Sequence, residues 1–186
     1  MPVEAPRLVT KRLVLEVPEP DAAPLVVDYF TRNKDHFAPW DPPRPAGFLT
    51  DGYWKERLAQ SRIELLGDQS ARFFVFQDGT IIGAVNFTNF VRGPFQACML
   101  GYSIDGKLEG QGCMSEAVRA GVGWAFATLR LHRIMANHIP ENIRSARLLK
   151  KLGFAVEGYA RDYLFIGGAW RDHVLTALTN HEMTRP

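Results

Sequence analysis

Tyr102-Ser103-Ile104-Asp105-Gly106-Lys107-Leu108-Glu109-Gly110-Gln111-Gly112-Cys113-Met114-Ser115-Glu116 joins a hydrophobic run to a glycine-spaced turn, and the turn to an apolar-periodic segment. The run, Ala97 to Ile104, has the composition of a strand; glycines follow at 106, 110 and 112, and a long amphipathic helix is expected from about Met114. A strand feeding a glycine turn and then a helix start is suited to seat an anion. Glycines let the backbone approach a ligand closely, and the first helical turn presents unpaired N–H groups with partial positive charge. The turn is therefore expected to hold a pyrophosphate, with the rest of the chain bringing a second substrate to whatever the pyrophosphate carries. The same residues also fit a plain glycine loop that opens a helix.

Upstream, Arg72 to Gln77, the Asp78-Gly79 turn, Thr80 to Phe90, a second turn over Val91 to Pro94, and Gln96 to Ile104 read as a three-strand antiparallel meander. Downstream, Met114, Ala117, Val118, Gly121, Val122, Ala125, Phe126 and Leu129 recur at helical spacing. Arg133 to His138 reads as a short strand, parallel to the strand before the turn because a helix joins the two. Asn142 caps a last helix that ends in Lys150-Lys151-Leu152-Gly153, and Phe154 to Ile166 with Ala169 to Leu178 form a closing hairpin. At the other end, Arg7 to Val17 reads as one strand. Asp21 is placed to cap a helix with Leu25, Val26, Tyr29 and Phe30 on its apolar side. Asn33 to Gly47 is irregular and proline-rich around Phe37 and Trp40, and a second helix spans Asp51 to Leu66. The sum is an α+β fold, one domain over residues 1–186, with a mixed central sheet of about seven strands, one parallel pair and about four helices.

Composition narrows the function classes. At 186 residues with 46% hydrophobic and 23% charged side chains, the chain can bury a core without staples. A net charge of +2 gives no general attraction to nucleic acid. Cys98 and Cys113 form no C-x-x-C, so neither a disulfide framework nor a metal site is expected. The first residues lack a basic and apolar leader, and no run approaches the roughly 18 to 20 apolar residues of a membrane span, so a cytoplasmic protein is expected.

Glu109-Gly110-Gln111-Gly112-Cys113-Met114 resembles the acetyl-coenzyme A signature of the GCN5-related N-acetyltransferases, [Gln/Arg]-x-x-Gly-x-[Gly/Ala], with Glu109 and Met114 departing from it. More specific stretches are His132-Arg133-Ile134-Met135-Ala136-Asn137, Asn142 with Ser145, Leu152-Gly153-Phe154, Glu157-Gly158-Tyr159-Ala160 and Trp170-Arg171-Asp172-His173-Val174-Leu175. Upstream, Thr10-x-Arg12-Leu13, Phe37-x-Pro39-Trp40 and Asn86-Phe87-x-Asn89-x-Val91-Arg92-Gly93 belong to the same pattern, which covers Arg7 to Thr179. Within that family the chain is similar to members that acetylate the N-terminal alanine of a small-subunit ribosomal protein. The resemblance implies acetyl-CoA as co-substrate. As partner it implies that protein's N-terminus, free or in the assembling small ribosomal subunit. Two alternatives stay open: acetylation of another amine, such as a small molecule or polyamine, and a non-catalytic acyl-CoA-binding assembly factor.

Acetyl transfer needs a positioned thioester, a neutral amine, a donor for the developing oxyanion and a proton for the thiolate. Tyr102, Ser103 and Ile104 could supply free backbone groups to pantetheine if their strand parts from the one ending at His138, and an N–H near Ser103 or Ile104 would meet the thioester oxygen, as the resemblance implies; otherwise they are core strand. The N–H groups of Gly110, Gln111, Gly112, Cys113 and Met114 would face the pyrophosphate, with the Glu109 carboxylate turned outward. By the same resemblance Asn142 contacts the pantetheine arm and Ser145 lies near the sulfur. Relatives place a proton-donating tyrosine four residues before the glycine that ends this helix; here Leu149 stands there, so the role falls to Ser145. His138 and Asp162 are candidates for general base or structural hydrogen-bonders, while His132 and His173 read as structural. Phe37 and Trp40 either cover an acceptor groove or plug the core beneath their loop.

Overall fold

Phe73 and Val75 face one side of a sheet, Phe74 and Phe76 the other, and each side is covered by its own hydrophobic cluster. This two-residue alternation between two buried faces is what a sheet with helices on both sides demands. The computed structural model describes residues 5–183. Its strands are β1 (Arg7–Val9), β2 (Val14–Glu16), β3 (Ala71–Gln77), β4 (Thr80–Val91), β5 (Ala97–Ile104), β6 (Arg133–Met135), β7 (Ala155–Ile166) and β8 (Ala169–Thr179). The helices are α1 (Ala23–Arg32), α2 (Lys34–Phe37), α3 (Asp51–Leu66), α4 (Cys113–Ala127) and α5 (Ile143–Lys151). The strands make one mixed sheet in the order β1-β2-β3-β4-β5-β6-β8-β7, with β5–β6 its parallel pair.

The sheet has eight strands because the segment expected as one strand, Arg7 to Val17, is a hairpin. Thr10 folds it: its N–H donates to the Leu13 carbonyl at 2.9 Å and its hydroxyl accepts from the Leu13 N–H at 3.0 Å. Asp21 caps nothing; it lies in a 3-10 turn, Pro20–Ala22, and α1 starts two residues later. Leu25 is exposed, and the buried side of α1 is Ala23, Val26 and Tyr29. The stretch expected to be irregular contains the short helix α2. Asp78 and Gly79 both take positive φ, as a two-residue hairpin turn requires.

One face of the sheet packs α4 and α5 around Phe73, Phe87, Ile134 and Leu149; the other packs α1 and α3 around Tyr29, Trp54 and Phe74. Full burial of a side chain such as Phe87 stabilises by about 1.5–3 kcal/mol. At Gly121 in α4 an added Cβ would meet Phe87 at 2.9 Å, so glycine is what lets this helix lie against β4.

The parallel pair is short. Ala97, Cys98 and Met99 face Arg133, Ile134 and Met135, and there the pairing stops. β4 follows β5 to Ile104 on its other side. β6, expected to reach His138, ends at Met135, because the chain turns toward β8, where His138 makes an isolated bridge to Val174. From Leu100 onward β5 therefore has one neighbour only.

Candidate active site

The unpaired half of β5 opens a cleft of about 1290 Å³ between the glycine turn, α5 and the β7–β8 hairpin. Register fixes which backbone groups face it. Asp105 N–H donates to the Ile82 carbonyl on the β4 side. In an antiparallel ladder the bonded pairs recur every second residue, so Ser103 and Gly101 also bond toward β4. Leu100, Tyr102 and Ile104 then turn their N–H and C=O groups toward the cleft. Of the two N–H groups expected near the reacting oxygen, the register leaves Ile104 and withdraws Ser103. The Ser103 hydroxyl is engaged as well, 2.9 Å from the hydroxyl of buried Tyr29.

The glycine turn is held by groups distant in sequence. Gly110 and Gly112 take φ of +75° and +80°, conformations an L side chain resists, and Gly112 is the N-cap of α4. Arg12 reaches the turn from the β1–β2 loop: its Nη1 donates to the Gln111 carbonyl at 3.2 Å and its Nε to Glu116 at 2.7 Å. Hydrogen bonds from the Thr10 hydroxyl and from Arg12, outweighing partial burial, hold the Glu116 carboxyl below its usual range. Asp105, at the end of β5, is buried. Burial pushes its carboxyl up, but bonds from Arg32, the Lys107 N–H and Asn33 outweigh it and hold it below the carboxylate norm.

Gly110, Gly112 and Met114 line the cleft; Gln111 and Cys113 do not. Gln111 folds back, its side chain donating to the Lys107 carbonyl at 3.0 Å and its N–H bonding Leu108, while Cys113 is buried in the core. Met114 fits where the signature has a small residue because β4 offers Gly83 opposite, whose added Cβ would sit 3.0 Å from the Met114 methyl. Glu109 is not turned to solvent. Its carboxylate lies 2.6 Å from Arg144 on α5 and 3.4 Å from His36 on α2, so an ion pair rather than an outward rotamer neutralises it.

On α5, Asn142 caps the helix as expected, its Oδ1 accepting from the Ser145 N–H at 3.1 Å, which leaves its amide NH2 to offer a ligand. Ser145 lines the cleft with its hydroxyl 2.7 Å from that of Tyr102. Burial pushes the Tyr102 phenol up to about 12, with the Ser145 bond opposing the shift. Leu149 is buried in the core.

Farther along the cleft, the Phe37 and Trp40 alternatives divide between the two residues. Phe37 is buried, packed on Tyr29 and Phe30 with ring centroids 5.5 and 6.1 Å away, and touches the cleft from the core; Trp40 stands half-buried in its wall. Asp162 is exposed on a β7 irregularity and lies outside the cleft, its N–H donating to Asp172. His138 lines it, and so does His173, which the sequence marked only as structural. Each has Nδ1 3.0 Å from a backbone carbonyl, of Ile139 and Arg171 respectively, which fixes Nδ1–H and leaves Nε2 as an acceptor. His132 is outside the cleft.

An anion-suited glycine turn, an open strand edge and a capped helix bearing a hydroxyl surround one elongated space. The pattern of the acetyltransferase (GNAT) domain matches residues 12–155. The chain belongs to the GNAT acetyltransferase family. The ribosomal protein uS5-alanine N-acetyltransferase of Escherichia coli (strain K12) is 45% identical over 181 residues, 96% of this GNAT chain and 93% of that protein. The crystal structure of the ribosomal-protein-S5-alanine acetyltransferase from Vibrio fischeri superposes with a TM-score of 0.93 at 38% identity, covering 97% of this chain and all of that one. Mycobacterium smegmatis RimJ in complex with CoA-disulfide gives a TM-score of 0.87 at 26% identity, over 97% of this chain and 89% of that one. GNAT proteins have thus been solved with the coenzyme bound. Among the described residues no three His, Cys, Asp or Glu side chains gather to hold a metal ion, and no helix is long and apolar enough to cross a membrane.

Proposed function

We propose that this chain transfers the acetyl group of acetyl-CoA directly to the N-terminal alanine of the small-subunit ribosomal protein uS5. The observation that carries the proposal is the join of an open β5 edge to a glycine turn at one end and to Ser145 alongside, in a chain so similar to uS5-alanine acetyltransferases. Pyrophosphate sits against the N–H groups between Gly110 and Met114, and the pantetheine arm runs along Tyr102 to Ile104 with Asn142 contributing its NH2. The Ile104 N–H meets the thioester oxygen as negative charge develops there.

An N-terminal α-amine has a pKa of about 7.7–8.0, so a usable fraction is neutral near pH 7 and a weak base suffices. His138 and His173, each with Nε2 as acceptor, are placed to take the proton that leaves nitrogen. Ser145 offers its hydroxyl hydrogen as a hydrogen bond to the departing thiolate and keeps its proton. Over the whole reaction one proton leaves nitrogen, taken up by the histidines and released to solvent, and one arrives on sulfur from solvent. Trp40 forms the acceptor wall. The cleft mixes Asp41, Glu109 and Glu141 with Arg144, Arg147 and Lys151, which does not match the acidic pocket a polyamine would favour. The site of action is the cytoplasm, on free uS5 or on the assembling small subunit.

Incubating the purified protein with acetyl-CoA and unacetylated uS5, followed by peptide mass spectrometry, tests this. One acetyl group at the alanine α-amine is expected. Acetylation confined to lysines, or none on uS5 beside full activity on a polyamine, overturns it.

A further inference from the structure

The Tyr102 side chain has a task separate from that of its backbone. Alternation along β5 sends Ser103 to the α1 face and Tyr102 to the α4–α5 face, where its hydroxyl reaches Ser145 across the gap left by β6. A phenol is a much stronger acid than an alkanol, so in this pair the phenol donates and Ser145 Oγ accepts. Ser145 has a single hydroxyl hydrogen. If it pointed at Tyr102 it could not serve a leaving group.

Tyr102 Oη is the hydrogen-bond partner that the described residues give Ser145 Oγ, with no back-bond to a carbonyl of its own helix. The serine rotor is therefore set by the tyrosine rather than by α5. Leu149, one turn farther along α5, is buried in the core and offers no hydroxyl to the cleft.

We infer that Tyr102 is a positioning residue for acetyl transfer, holding Ser145 Oγ as an acceptor so that the serine hydrogen faces the thioester sulfur. This rests on the role given to Ser145 above. Neither hydroxyl gives up its proton: a leaving thiolate of ordinary thiol pKa, about 8.5, is too weak a base to take one from the Tyr102 phenol, pushed up to about 12, or from the less acidic serine, and it is met by a hydrogen bond instead. The tyrosine's contribution is orientation, which acts on the chemical step and not on coenzyme affinity.

A double-mutant cycle with acetyl-CoA and an alanine-starting uS5 peptide tests this. Ser145→Ala is expected to lower kcat about a hundredfold, in line with loss of one hydrogen-bond donor aimed at developing negative charge. Tyr102→Phe keeps the ring, and is expected to lower kcat about tenfold with KM for acetyl-CoA unchanged within about twofold, the mark of an interaction felt only in the transition state. The double variant should be no slower than Ser145→Ala alone. A Tyr102→Phe enzyme with normal kcat while Ser145→Ala is slow overturns the tyrosine's role and leaves the serine's intact. A double variant tenfold slower than Ser145→Ala overturns it too, since the tyrosine then acts without the serine. A normal kcat for Ser145→Ala removes both.

Discussion

Two parts of the cleft wall are made of different materials. The turn is backbone: glycines at positive φ, a helix start, an open strand edge, and ion pairs that clamp them from outside. The aromatic part is side chain: Trp40 stands in the wall, and behind Phe37 lies a cluster in which Phe30 stacks on Trp54 at 5.1 Å, and Arg44 lies 4.6 Å from the Phe48 ring and 5.0 Å from that of Phe30. A backbone-built site recognises what every coenzyme molecule has in common. A side-chain-built site can be retuned by single substitutions while the fold stays put, which suits the part that meets the variable substrate.

That contrast can be broken experimentally. Gly112→Val forces a β-branched residue into a left-handed N-cap. It should raise KM for acetyl-CoA at least about tenfold and cost roughly 1–3 kcal/mol of stability, with KM for the peptide unchanged. Steady-state kinetics in both substrates decide it; a shift in peptide KM alone would dissolve the division.

Asp105→Asn removes a buried carboxylate bonded by Arg32, and loss of such a charged bond costs about 1.5–3 kcal/mol at neutral pH. The folded-state pKa of Asp105 is depressed. Its stabilisation is thus complete above the unfolded value near 3.9 and is lost as pH falls below it. Thermal melts from pH 7 to 3 should therefore show the variant and parent converging in acid. Glu64, held down to about 2 chiefly by its bonds from Arg57, remains in both and continues the acid loss between its usual range and that value. Parallel curves would refute the assignment.

Trp40→Ala should raise KM for the peptide severalfold, about 1 kcal/mol, while leaving KM for acetyl-CoA alone. Smallest of the set is Glu109→Gln, which loosens a partly exposed pair with Arg144. A change under about 1 kcal/mol is expected, fading at high salt, read as a slight fall in Tm.

What was legible in the sequence follows the same division. The meander, the glycine turn, α4 and the Asn142 cap are local, set by periodicity and turn chemistry within a few residues. Missed were the contacts that join distant segments. Arg12 and Glu116 lie 104 positions apart, and Tyr102 and Ser145 lie 43 apart. No local pattern marks such pairs, because their geometry exists only once the sheet has formed. The β1–β2 hairpin was hidden for another reason: Leu13, Leu15 and Val17 alternate as one strand would, and the turn is closed by the backbone and hydroxyl of a single threonine, Thr10. Phe37 and Trp40 are alike in composition and neighbours in sequence, so only packing could separate the core residue from the wall.

The open half of β5 is also a vacancy in the sheet that a ligand can fill as an extra strand would. Without ligand, the amide hydrogens of Tyr102 and Ile104 should exchange with solvent far faster than those of Gly101 and Ser103, a tooth-comb pattern along a single strand. Adding coenzyme A should slow the fast teeth and leave the slow ones as they were. The protein would thus register its cofactor residue by residue, in the alternation that the strand itself imposes.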